Sequence, residues 1–255
     1  MRTSLLAAMI TLGPALAWTQ TSETINLPVG SALVDGRIYK AHDAVAMRSL
    51  NKNGVTIRSI RYLNHTYMTR WKGLDVCVVE SVPNAETADS QFYEKTILNA
   101  RTMAIVHREE RDGHGRLLNA DVDGAHVTGQ FRAKTGDQIQ PLDFQLEAPS
   151  YYSPFVDAAI GATHMQPGQS WRVPTFSFTP GHQVTKWEVY RITGRENGPS
   201  PAWIVENADD APVHTKIWIT DDPPYLPRVV TTLPDGSIAT FESSVTPDGR
   251  SSSRN

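Results

Sequence analysis

The chain has 255 residues, with 24 Lys and Arg against 27 Asp and Glu and a formal net charge of −3. That mild balance, with no basic cluster, argues against a nucleic-acid partner. The single cysteine, Cys77, excludes an intramolecular disulfide even in an oxidising compartment.

The N-terminus places Arg2 before an apolar run over residues 5–17 that ends Ala15-Leu16-Ala17. This reads as a secretory signal with an A-x-A cleavage site, residues 1–17. Gly13 and Pro14 interrupt the run, which is too short for a spanning helix of roughly 20 residues, so no stable membrane span is expected. No cysteine follows the site, and the processed protein is expected to begin at Trp18 without lipid, periplasmic or secreted. The remaining length suits one large β domain or two small ones. The expectation is a single β-rich domain over 18–244 and a polar, frayed tail over 245–255.

Residues 18–28 read as an extended lead-in, and 37–41 as a short strand after the Asp35-Gly36 turn. Asn53-Gly54 is a strong turn signal that opens a strand over 55–63, neither face of which is purely apolar. Residues 75–80 form a continuous apolar strand in which Cys77 is expected as a small buried hydrophobe. Residues 85–101 are ambiguous between helix and strand, with the downstream pattern favouring strand. Residues 103–109, 116–122 and 126–133 read as a meander punctuated by Asp112-Gly113 and Asp123-Gly124, and 141–149 alternate polar and apolar.

The texture then changes. Residues 154–163 are the one convincing helix, with Phe155, Ala158, Ala159 and Ala162 on one face and Pro154 at its first position. An aromatic strand follows over 171–178, then strands over 185–193 and 202–207. The last unit, residues 215–243, holds three strands, 215–220, 226–233 and 237–242. They are broken by Asp221-Asp222-Pro223-Pro224 and by Pro234-Asp235-Gly236. The two halves align loosely, Thr56 with Thr185, Val76 with Ala202 and Met103 with Pro227. A decayed duplication and an ordinary antiparallel meander both produce that spacing.

No nucleophile elbow, zinc-binding H-E-x-x-H, P-loop or dinucleotide fingerprint is present. Three looser groups stand out. His107–Asp112, HREERD, reads as a solvated charged edge that discourages sheet pairing. Asp221-Asp222 reads as turn-forming aspartates. Asp157 and His164 lie two helical turns apart, conceivable as a base and its orienter or half a metal site, but a metal needs more ligands nearby. Asn64-His65-Thr66 matches a glycosylation sequon. No catalytic residue, metal site or cofactor is assigned.

The helix, PGQSW, the aromatic strand, VTKWEVYRITGRE, AWIVEN, TKIWIT and LPRVVTTLPDG together resemble an exported bacterial family of unknown function, number 3108. More distantly the pattern resembles the LolA/LolB-type lipoprotein carriers. The resemblance covers residues 30–244 and implies a mainly β fold: a strongly curved antiparallel sheet, a half-barrel, with one short helix across its concave side. The chain departs from the carriers in having one short helix candidate and a long second half. In the carriers the concavity holds acyl chains. The aromatics of the second half would either fill that space as core or line an apolar pocket bounded by Phe155, Met165, Trp171, Trp187 and Trp203. The expected function is a non-catalytic, exported binding protein for an apolar or amphipathic ligand or a lipidated partner. An envelope scaffold engaging another envelope protein, or a hydrolase with an unread site, are the alternatives.

Overall fold

Strand follows strand for most of the chain because alternating side chains and short turns leave no run long enough for a helix to compete. The protein is seen here as a computed structural model that describes residues 24–84, 92–181, 183–208, 211 and 213–246. The expected leader, and residues 247–255 of the expected tail, lie outside these.

The first half opens with β1 (Thr24–Asn26) and a 3-10 turn at Gly36–Ile38, then runs as a meander. Its strands are β2 (His42–Lys52), β3 (Val55–Trp71), β4 (Leu74–Pro83), β5 (Tyr93–Asn99), β6 (Ile105–Arg111), β7 (Leu117–Asp123), β8 (His126–Arg132) and β9 (Gln140–Gln145). A short crossing segment follows: β10 (Tyr151–Tyr152), a 3-10 turn at Ser153–Phe155 and α1 (Val156–Gly161). The second half is β11 (Ser170–Phe176), β12 (Lys186–Glu196), β13 (Ala202–Asn207), β14 (His214–Thr220), β15 (Arg228–Thr232) and β16 (Ile238–Val245).

All sixteen described strands belong to one sheet. The two meanders, eight strands and six, are sewn together where β16 pairs antiparallel with β2, Glu242 opposite Met47. The path therefore runs from β1 and β11 through β16 to β2 and on to β9, and its ends do not pair, so the barrel is not closed. Pairing is antiparallel except where β1 and β10 lie parallel to β11. The curl is visible in the core: Phe131 and Leu142 on β8 and β9 share one buried cluster with Trp171, Val173 and Val205 on β11 and β13. Residues near opposite ends of the path meet only if the sheet wraps around a common interior.

The crossing segment lies on that interior. Val156, Ala158, Ala159 and Ile160 are buried in the same cluster. Small side chains let α1 press in closely: a Cβ on Gly161 would stand 2.6 Å from the Tyr39 hydroxyl, and that hydroxyl donates to the Ala158 carbonyl at 2.9 Å. β4 is apolar on both faces because a second, smaller cluster of Val76, Val78 and Ile97, joined by Trp71, covers the convex side.

Several expectations are corrected. Residues 37–41 are not a strand, since the chain makes a 3-10 turn capped by Asp35 and extends only from His42. β2 has no counterpart among the expected strands, and β3 runs eight residues past the expected end at Leu63. β16 continues into the expected tail as far as Val245, held by its ladder to β2. The helical segment is shorter than 154–163, because its first turn is 3-10 and α1 ends at Gly161. The Asn53-Gly54 turn is as expected, both residues taking the positive φ that such a hairpin requires.

Candidate functional site

Between the sheet and the crossing segment lies a cavity of about 540 Å³. Its roof is Tyr152–Ala158, and its floor comes from β2 to β6 on one side and β14 to β16 on the other. The strand period explains the lining. On β2, His42, Ala44 and Arg48 face in; on β4, Cys77, Val79 and Ser81; on β5, Glu94 and Leu98.

One side of the lining is apolar, with Cys77, Leu98, Met103, Ile217, Ile219 and Val229. Burial pushes the Cys77 thiol up to about 12, so it is an inert part of that wall. Tyr39, Tyr190 and Tyr225 add ring surface, and burial raises all three phenols above their usual range.

The other side is charged. Arg48 forks onto Glu94 with Nη1–Oε1 at 2.7 Å and Nη2–Oε2 at 3.0 Å. Arg108 Nη2 reaches the same carboxylate at 3.1 Å and Glu110 at 3.5 Å, and Arg116 Nε closes the series on Glu110. Three guanidinium groups thus alternate with two carboxylates. Glu94 is 5 % exposed and Arg108 is 4 % exposed. Burial alone would raise the Glu94 carboxyl, but Arg48 and Arg108 outweigh it and hold it at about 2. Glu94 and Glu110 stand directly opposite each other across β5 and β6, a like-charge pairing that the three arginines compensate. That Arg48 reaches Glu94 past β3 and β4 is itself a sign of curvature, since strands are about 4.8 Å apart on a flat sheet.

Two side-chain donors in this cluster find no acceptor among the described residues: Arg108 Nε and the Tyr62 hydroxyl, both buried and both on residues that line the cavity. The guanidinium of Arg48 stacks 5.1 Å from the Tyr62 ring centre, and that of Arg108 lies 5.7 Å and 5.8 Å from the Tyr152 and Phe155 rings. An orphaned buried donor costs about 1–3 kcal/mol, and two within one cluster call for an explanation.

Asp157 stands on α1 among the lining residues. Burial pushes its carboxyl up to about 7, against a smaller opposing pull from its own backbone amide. The residue is half-buried and contributes to the cavity lining. His164, its expected companion, lies beyond the helix and is exposed. The two do not form a pair.

Of the five residues expected to bound a pocket, Phe155 lines the cavity. The other four stand apart from it. Trp171, 1 % exposed, and Met165 are packed in the core. Trp203 lies on the same side of β13 as Val205, partly buried, with Arg195 4.7 Å from its ring centre. Trp187 pairs with Pro174, whereas Val173 and Tyr190 point inward, so it sits on the convex face under Arg172. HREERD is corrected as well: β6 is an interior strand between β5 and β7, not an edge. Its Arg108 and Glu110 enter the cavity, while His107 packs on Trp71 outside and bonds Asp121 at 2.8 Å. A signal was present in the sequence: Phe92, Glu94, Thr96 and Leu98 share one face of a strand, so Glu94 interrupts an otherwise inward-facing row.

Comparison with known proteins gives a family and two distant likenesses. The crystal structure of a beta-barrel-like protein of domain of unknown function DUF1849 from Brucella abortus has a TM-score of 0.48 at 8 % identity, over 81 % of this chain and 98 % of that one. A DUF1329 family protein from Desulfovibrio piger has a TM-score of 0.31 at 10 % identity, over 82 % and 86 % of the two chains. No curated protein matches the chain. The family model "Protein of unknown function (DUF3108)" matches residues 85–242, from β5 through most of β16. With more than half of its length matched, and with the resemblance read from its strand motifs agreeing, the chain belongs to the DUF3108 family.

Proposed function

We propose that the protein is an exported, non-catalytic binding protein whose concave cavity takes an apolar or amphipathic ligand, or the lipid part of a lipidated partner. The observation that carries this reading is the cavity itself, about 540 Å³ beneath the crossing segment. That volume falls within the roughly 300–1,000 Å³ typical of small-molecule sites. Its apolar wall offers burial at about 25 cal/mol per Å² of ligand surface, and its charged wall supplies orientation. The expected leader supports an extracytoplasmic setting, which N-terminal sequencing of the exported protein would check by finding Trp18 first and unmodified.

The test of binding uses N-phenyl-1-naphthylamine, an uncharged apolar fluorophore, titrated into delipidated protein. Mass spectrometry of the native preparation runs in parallel. The expected result is saturable binding that Val229→Trp abolishes, because an indole on β15 occupies the space the probe needs. Absence of saturable binding together with nothing co-purifying, or binding indifferent to Val229→Trp, would overturn the reading.

A further inference from the structure

The polar wall of the cavity tells more than that something apolar enters it. Arg48, Arg108 and Arg116 against Glu94 and Glu110 leave one formal positive charge in excess within a connected series. The two terminal nitrogens of the Arg108 guanidinium are engaged, Nη1 by Thr96 and Nη2 by Glu94 and Glu110. Its Nε–H has no acceptor among the described residues, and neither has the Tyr62 O–H, whose oxygen meets Arg48 only as an acceptor. Both groups donate, and both belong to one cluster: Tyr62 lies against Arg48, and Arg48 shares Glu94 with Arg108.

Two idle donors beside an uncompensated positive charge match an acceptor-rich anion and disfavour a cation. An alcohol or an amide would use the donors but leave the charge unanswered. The apolar wall of Leu98, Ile217, Ile219 and Val229 continues in the same cavity. A molecule that fills the space therefore needs an acid at one end and hydrocarbon at the other. Asp157 also lines the cavity, but it belongs to α1 and makes no ion pair with the arginines among the described residues.

We propose that the cavity takes an amphiphile with a single anionic head group, a carboxylate or a phosphate ester, held by Arg108 Nε and the Tyr62 hydroxyl with its tail along the apolar wall. This rests on the reading that the cavity binds an apolar ligand. It goes further by fixing the charge and the end at which the head lies.

The experiment is displacement of N-phenyl-1-naphthylamine by dodecanoate, dodecyl phosphate, dodecanol and dodecylammonium, with acetate and inorganic phosphate as tail-free anions. Parent, Tyr62→Phe and Arg108→Lys proteins are compared. At least one anionic amphiphile is expected to displace the probe at about a tenth or less of the dodecanol concentration, as a hydrogen bond to a charged group implies. Tyr62→Phe is expected to weaken that amphiphile about tenfold and dodecanol by less, and Arg108→Lys to act in the same direction. Tyr62→Phe keeps the ring that packs on Phe92, so its thermal midpoint is expected at or above that of the parent. The fold is thereby held constant. Equal displacement by all four head groups would overturn the head-group assignment, leaving a water on the two donors, while the binding reading stands. Acetate or phosphate displacing as well as the long-chain acids would also overturn it, in favour of a free-anion site. Failure of the probe itself to bind would instead count against the binding reading.

Discussion

Around β11 the core is filled by rings. Trp171, Tyr151, Phe176 and Phe178 are fully buried, with Tyr152 4.9 Å from Phe178 and Phe176 5.1 Å from Phe178, centre to centre. Across β2, β5 and β6 the concave side of the sheet is held by Arg48, Glu94 and Arg108, and a cavity remains beside them. The two regions answer one geometric problem, the space inside a curled sheet, with different physics. Dispersion and burial are non-directional and fill space to crystal-like density. Buried ion pairs need fixed angles and cannot tile a volume, so they leave room where they occur. Open space is found beside the charges, not beside the tryptophans.

The regions should also fail differently. Removing one member of a buried charge series strands the others, at about 3–5 kcal/mol. We expect Glu94→Ala to lose that much in urea unfolding, since it leaves both Arg48 and Arg108 without their shared carboxylate. Trp171→Phe keeps a ring in place and trims the aromatic wall, and about 2 kcal/mol is expected. The reverse ranking would show that the charge series contributes little and that the two regions do not differ as described.

Acid sharpens the contrast. Glu94 titrates at about 2 in the fold against an ordinary 4.5. A depressed carboxyl contributes stability that is complete above about 4.5 and is lost as pH falls towards 2. Asp157 has the opposite sign, raised from 3.8 to about 7 by burial. Its protonated form is preferred in the fold, so its contribution is complete below about 4 and falls away as pH rises through 7. The groups coupled to it are the Tyr39 and Tyr190 phenols. Nearby in the cavity is His42, lowered from 6.5 mainly by burial, with stability lost as pH falls. His42 opposes Asp157 over part of the window, so the readout is the difference between variant and parent. Asp157→Asn is expected to be no more stable than the parent at pH 4, and more stable at pH 8 by on the order of 2 kcal/mol. A constant difference at both pH values would mean that Asp157 does not titrate in this window.

How much of this was legible in the sequence differs between the regions. The residues of β13 were expected as they occur, and β14 and the β15–β16 hairpin within a few residues, because β-branched runs between Pro, Asp and Gly leave few alternatives. α1 was legible from its alanines. β2 was not: HDAVAMRSLNK puts His42, Ala44, Ala46 and Arg48 on one face and Asp43, Val45, Met47 and Ser49 on the other, with no hydrophobic contrast between them. HREERD failed for the same reason, since charged residues on both faces of β6 resemble a solvated edge. Only the neighbours β5 and β7 make it interior. The pocket was sought among large aromatics, but large aromatics on facing strands close space. The residues that keep it open are an arginine, a glutamate and small side chains such as Ala44 and Ser81.

The smallest expected effect is at Trp187, and it tests where the cavity lies. Its ring is 40 % exposed on the convex face, with the Arg172 guanidinium 4.8 Å from its centre. An exposed cation–π pair is worth about 0.5–1 kcal/mol, so Trp187→Ala should cost around that amount in stability. It should leave N-phenyl-1-naphthylamine affinity within error of the parent, because the sheet itself separates position 187 from the concave side. Val229→Trp should do the reverse, ending probe binding while the chain stays folded. If Trp187→Ala instead weakened binding severalfold at unchanged stability, the ligand would be meeting the convex face. The charge series would then be a structural device with no part in recognition.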